Sequence, residues 1–290
     1  MRNSLLAITV LTLCSVGFAQ VPRLPRATRQ SNHQQQAAAL QAKRDAISSR
    51  TSIHPDSADC SFTFTSGSNN TFISYCVSST GNLVSLSTPQ GHSQVSFDGF
   101  EGYGICDFNS GVAYSDFGGG GDSGNWLSPT LVSRSGTAVK IARTTADGIW
   151  TLTQAISLVS GAQPQAKIAM TLKNNTAVAR EAFLMRYADI DADAVVTNNF
   201  DATFNTAMGY NSIDGNGGNG EPFGLVLQNV GNSNFGFDAF AQNTFEPPAP
   251  CNPFVNIAGP FVGDGSIVQL YGLEVSAKTA GTVTVGYRGM

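Results

Sequence analysis

The stretch from residue 139 to residue 188 constrains the fold more than any other part of the chain. Val139–Thr144 alternates apolar and polar side chains, Ala146–Gly148 turns, and Ile149–Val159 returns. Ser160–Pro164 turns again, Gln165–Lys173 runs out, Asn174 and Asn175 turn, and Val178–Ala188 comes back. Alternation with period two puts successive side chains on opposite faces of a strand, and Asp-Gly and Asn-Asn pairs suit tight reversals. The segment therefore predicts an antiparallel meander. Strands of nine to eleven residues exceed the common ~5–6 residues, which predicts broad, curved sheets packed face to face as a β-sandwich.

The rest of the chain agrees. Only 12% of residues are charged and 31 are glycine, so the Lys and Glu that cover soluble helices are scarce. Ser61–Thr65 and Thr71–Cys76 flank a Ser/Gly/Asn turn and read as a hairpin. Asn82–Thr88, Gln94–Phe97 and Tyr103–Asp107 read as further strands, as do Phe223–Asn229, Phe235–Ala241, Ser266–Ser276 and Gly281–Arg288. Between them, Asp189–Gly220 is rich in loop residues. The expected fold class is all-β, a large antiparallel sandwich spanning residues 58–290 as one domain.

Two segments precede that domain. Residues 1–19 have the form of an export leader: Arg2, an apolar core through Leu13, and small residues before a cut after Ala19. Leu11–Cys14 resembles a lipid-attachment site, but Leu13 is too large for the position before the cysteine, so Cys14 is read as part of the leader. No later stretch reaches the roughly 20 apolar residues of a membrane-spanning helix. The expected location is secreted or periplasmic. Residues 20–57 form a Gln/Ala-rich arm, disordered or partly helical. Residues 21–50 carry six basic side chains against Asp45 alone, and residues 51–290 carry nine against nineteen acidic ones. An acidic body gives no support to nucleic-acid binding, and the arm is read as a solvated, charge-extended linker.

Four cysteines follow the leader, an even count that in an exported chain reads as two disulfides. Cys60 and Cys76 are equidistant from the middle of the hairpin turn at residue 68 and should face each other, leaving Cys106 for Cys251.

Chemistry-bearing residues are few. Gly121–Gly124 spells the Gly-Asp-Ser-Gly of trypsin-like proteases, but Asn125 and Trp126 follow. The domain's only histidine, His92, lies 31 residues before Ser123, too close for a triad divided between two barrels. Asp98 and Glu101 sit among aromatics, with Tyr103 and Trp126 as candidate ligand contacts. Carboxylates beside stacking rings suit a carbohydrate-active hydrolase or lyase. Asp189, Asp191 and Asp193 form the sharpest pattern. On a strand they would share a face and repel unless a cation bridged them, so calcium is the expected ion, with Asn198 and Asp201 as further oxygen donors. Asp214–Gly220 is a second stretch that could hold a cation. The favoured function is a non-catalytic binding or structural module acting on extracellular glycans or envelope partners. A hydrolase using carboxylates near Glu101 is the alternative.

Overall fold

The computed structural model describes residues 60–96, 100–211, 223–231 and 235–290. The leader, the arm, Asp98 and the Asp214–Gly220 stretch lie outside them. The chain opens with β1 (Phe62–Ser66), β2 (Ile73–Val77) and β3 (Leu83–Ser87). Then come β4 (Glu101–Asp107), β5 (Val112–Asp116), β6 (Thr130–Arg134), β7 (Ala138–Thr144), β8 (Trp150–Val159), β9 (Gln165–Asn174) and β10 (Arg180–Asp189). The remainder holds β11 (Asn198–Thr203), β12 (Thr206–Asn211), β13 (Gly224–Asn229) and β14 (Gly236–Gln242). Last are β15 (Ile257–Ala258), β16 (Phe261–Gly263), β17 (Ser266–Val275) and β18 (Ala280–Gly289).

Three antiparallel sheets result: β1-β2-β3, the six-stranded β15-β14-β17-β10-β4-β5, and the nine-stranded β16-β11-β12-β13-β18-β9-β8-β7-β6. The two large sheets pack face to face. Tyr103, Ile105, Leu184, Ile267 and Tyr271 from one meet Ile141, Trp150, Ile168, Leu225 and Tyr287 from the other in one continuous buried cluster. Apolar burial on alternating residues drives this packing. In β8 and β9 the inward residues are buried and their neighbours half-buried in strict alternation over most of their length.

The meander departs from expectation at its third turn. β7, β8 and β9 pair in succession, but β9 takes β18 as its other neighbour. β10 crosses to the six-stranded sheet and pairs with β17 and β4. Asn174 is fully buried at this corner. Its Nδ2 donates to the carbonyls of Val178 (2.7 Å) and Val275 (3.0 Å), while its Oδ1 accepts from Thr176 N and Oγ1. An Asn side chain that replaces backbone partners can end a ladder as well as reverse it. The sequence pattern does not separate the two outcomes.

Other boundaries also shift. The stretch expected to be loop from Asp189 to Gly220 contains the β11–β12 hairpin. Gln94–Phe97 is not a continuous strand: Val95 makes an isolated bridge to Ile190, Ser93 just before the segment makes another to Ser87, and Phe97 lies outside the described residues. In the first hairpin Cys76 pairs with Thr63 rather than Cys60, because a 3-10 turn at Asn69–Thr71 displaces the register. Cys60 nevertheless reaches Cys76, with Cα atoms 5.6 Å apart. Cys106 and Cys251 are likewise at disulfide distance, 4.8 Å between Cα atoms.

A second, smaller core lies on the outer face of the six-stranded sheet. Met185, Tyr187, Phe240, Val268 and Leu270 point outward and are covered with Phe100, Phe117 and Phe245. The Pro-rich segment 245–255 crosses this face, fastened by Cys251 to Cys106 of β4 and by the Tyr187 hydroxyl donating to the Phe245 carbonyl. It passes so close to β4 that a Cβ on Gly104 would lie 2.7 Å from Pro250 Cγ.

One turn makes a direct pH prediction. Asp147, between β7 and β8, accepts from Thr145 Oγ1 (2.6 Å), Ile149 N (3.0 Å) and the Tyr114 hydroxyl of the opposite sheet (2.5 Å). Partial burial pushes its carboxyl up, but these donors outweigh it and hold the group below the ordinary carboxylate value. A carboxyl lowered on folding contributes stability above its unfolded pKa and loses it as pH falls through the folded one. Asp147→Asn should therefore melt lower than the parent near neutral pH, and the gap should close in acid. A gap that stays constant across that range would contradict the assignment.

Candidate functional site

Glu101 is buried between the packed sheets. β4 and β10 are register partners, Ala188 opposite Glu101 and Arg186 opposite Tyr103, so Glu101 and Arg186 project into the sandwich as diagonal neighbours. Both are 0% exposed. Arg186 Nε lies 2.5 Å from Glu101 Oε1 and Nη2 lies 2.7 Å from Oε2, a bidentate pair. The other guanidinium donors reach Gln154 Oε1 (2.5 Å) and the Gly81 carbonyl (3.1 Å). Leu83 N and the Tyr287 hydroxyl donate to the carboxylate, at 2.6 and 2.8 Å. Burial pushes the Glu101 carboxyl up, and Arg186 with these donors opposes it. One ion pair thus joins all three sheets. Both carboxylate oxygens are engaged inside the core, which gives Glu101 a structural place rather than one open to a glycosidic bond.

The expected ligand contacts are also internal. Tyr103 is 0% exposed; its hydroxyl donates to the Thr80 carbonyl (3.0 Å) and accepts from Arg143 Nη1 (3.3 Å). Trp126 is 9% exposed and meets Tyr103 and Tyr114 edge-on, with centroids 5.6 and 6.0 Å away. Its Nε1 donates to the Ser115 carbonyl, and the Arg143 guanidinium lies 5.1 Å from its ring. Arg143 binds Asp116 (2.6 Å) and Asp122 (2.8 Å). The Gly-Asp-Ser-Gly loop is tied into this cluster: Ser123 Oγ donates to the Ser115 carbonyl and to Asn125. His92 sits elsewhere, 2.7 Å from Asp193 and packed on Phe223.

The acidic run divides. Asp189 ends β10 and Asp191 follows it, but the backbone then enters a 3-10 turn at Ala192–Ala194 with Asp193 at φ 56°. This breaks the alternation and turns Asp193 towards His92 and Ser93 N. Asp201 caps the amide of its own neighbour, Ala202. Asp264, between β16 and β17, takes the third place: one carboxylate oxygen each from Asp189, Asp191 and Asp264 lie within 4.8 Å of one another, and all three residues are buried. Asn198 begins β11 and pairs with Gly263, the residue before Asp264. No local pattern marks Asp264, 71 residues beyond Asp193. Arg186 did carry a signal, as a lone cation in the otherwise apolar run Phe183–Ala188.

The surface holds a row of rings on the outer face of the six-stranded sheet. Phe183 of β10 is half-buried and lies between Phe108 (4.6 Å, edge-on) and Phe254 (6.0 Å, edge-on). Phe108 and Phe254 are 47% and 50% exposed. Phe254 also meets Phe240 of the outer core.

No protein-family model matches this sequence, and a search of curated proteins finds no match. Among solved structures, the chain is similar to a bacterial glucoamylase complexed with acarbose, at 9% identity and a TM-score of 0.47. That alignment covers 80% of this chain and 32% of the glucoamylase, so the chain spans about a third of it. A galactose mutarotase related enzyme from Lactobacillus acidophilus aligns over 79% of this chain and 97% of its own, at 7% identity and a TM-score of 0.40. Both are distant neighbours.

Proposed function

We propose that this chain is an exported, non-catalytic β-sandwich module that binds an extracellular glycan through Phe108, Phe183 and Phe254. The observation that carries the reading is that row of rings. Large apolar side chains clustered at the surface mark interaction sites more often than scattered ones do, and aromatic faces stack on sugar rings. The leader and the two cysteine pairs support an oxidising, extracytoplasmic location. The enclosure of Glu101 by Arg186 supports binding over hydrolysis.

A glycan array followed by titration of the best ligand tests this. Phe108→Ala and Phe254→Ala should each weaken binding by about fivefold, for roughly 1 kcal/mol per stacked ring. The ligand should be recovered intact. Unchanged affinity in the double variant would remove the aromatic row from the function, and release of shortened glycan would replace the module with an enzyme.

A further inference from the structure

We infer that Asp189, Asp191 and Asp264, with the side-chain oxygen of Asn198, hold a structural calcium ion where the two large sheets join. The three acids lie on two chain segments that cross between the sheets. One runs from β10 of the six-stranded sheet through Asp191 to β11 of the nine-stranded sheet; the other runs from β16 through Asp264 back to β17. Asp189 is the register partner of Ser266 at the start of β17, and Ile190 N donates to the Gly265 carbonyl, so the crossings touch. The 4.8 Å span of the three oxygens fits a single calcium shell, whose ligands stand about 2.3–2.6 Å from the ion.

Acids alone would not distinguish an ion site from a costly cluster. Asn198 supplies the second observation. It is 0% exposed, and its Oδ1 is buried with no hydrogen-bond partner. Its Nδ2 donates to the carbonyls of Ile190 (3.2 Å) and Val195 (2.5 Å), which places the carboxamide in the mouth of the loop that carries Asp191. Its backbone pairs with Gly263, next to Asp264. A buried amide oxygen is an acceptor that needs a donor or a cation. Asn198 thus adjoins both acid-bearing segments, at Ile190 and at Gly263, and a cation held between them would satisfy its oxygen and offset the repulsion of the carboxylates at once. Calcium accepts such a mixed set of carboxylate and amide oxygens in irregular geometry.

The test uses the mature protein stripped with a chelator, then titrated with calcium chloride by calorimetry and by melting. One calcium should bind per chain, and at a hundredfold its Kd the melting temperature should rise by roughly 5 °C or more. Asp264→Asn should weaken calcium binding at least about tenfold, whereas Asp193→Asn and Asp201→Asn should leave it unchanged. Asp191→Asn serves if Asp264→Asn does not fold. No binding heat and equal melting with calcium or chelator in the unmodified protein would overturn the inference. So would parental calcium affinity in Asp264→Asn, or its loss in Asp193→Asn.

Discussion

Glu101→Gln should lower the stability of this protein by about 3–5 kcal/mol, the usual consequence of removing one partner of a buried ion pair. The substitution conserves shape and leaves the Arg186 guanidinium charged inside the core, where both residues are 0% exposed. Gln can still accept from Leu83 N or Tyr287, so the loss would come from the uncompensated charge rather than from a cavity. Arg186→Met should be similarly damaging, by stranding the carboxylate. The double change Glu101→Gln with Arg186→Met should cost much less than the two single changes added together, because no charge is left buried. Urea unfolding of the four proteins measures this. A loss under about 1 kcal/mol for Glu101→Gln would mean that water or another group reaches the pair.

The second large effect concerns the outer face. Removing the Cys106–Cys251 link, with both residues changed to Ala, should cost about 5 kcal/mol in the chain-entropy model, given a separation of 145 residues. The Cys60–Cys76 link closes only 16 residues, for which the same model gives about 3 kcal/mol. The order of the two effects is the sharper expectation, since strain and residual structure alter each magnitude. Loss of the long link should also free segment 245–255, which carries Phe254, and weaken binding by the aromatic row. Calorimetric melting of each double-alanine protein, beside glycan titration, checks both consequences. If the short link proves the costlier, packing of Phe245, Pro250 and Phe254 holds the segment without help.

The all-β class and most long strands were legible because period-two alternation is a local property, imposed wherever one face of a strand is buried. Trp150, which lies within such an alternating pattern, is 0% exposed. Both cysteine pairs were legible too, the first for an imperfect reason: the pair sits at disulfide distance although a 3-10 turn shifts the register by which it was derived. The hairpin β11–β12 was hidden by Asn, Asp and Thr residues that read as loop, and it is held by neighbours on both sides. Tertiary pairing overrides weak local propensity there.

The candidate sites divide along the same line. Asp189 and Asp191 stand out as candidates in the sequence because two acids at alternate positions are a local pattern. Asp193 was grouped with them because nothing local announced the left-handed turn that carries it to His92. Glu101 stands out in the sequence as a carboxylate among aromatics, which suggested catalysis, but its partner lies 85 residues away, and only the packed sheets show that the pair is sealed. By itself the sequence determined most of the long strands and which residues could carry charge or a cross-link, since these follow from side-chain period and residue chemistry. Which sheet β10 joins, where Asp264 meets Asp189, and that Arg186 neutralises Glu101 were decided by the tertiary structure. Such contacts join segments far apart in the chain, and their energy exists only once both sheets are closed around them.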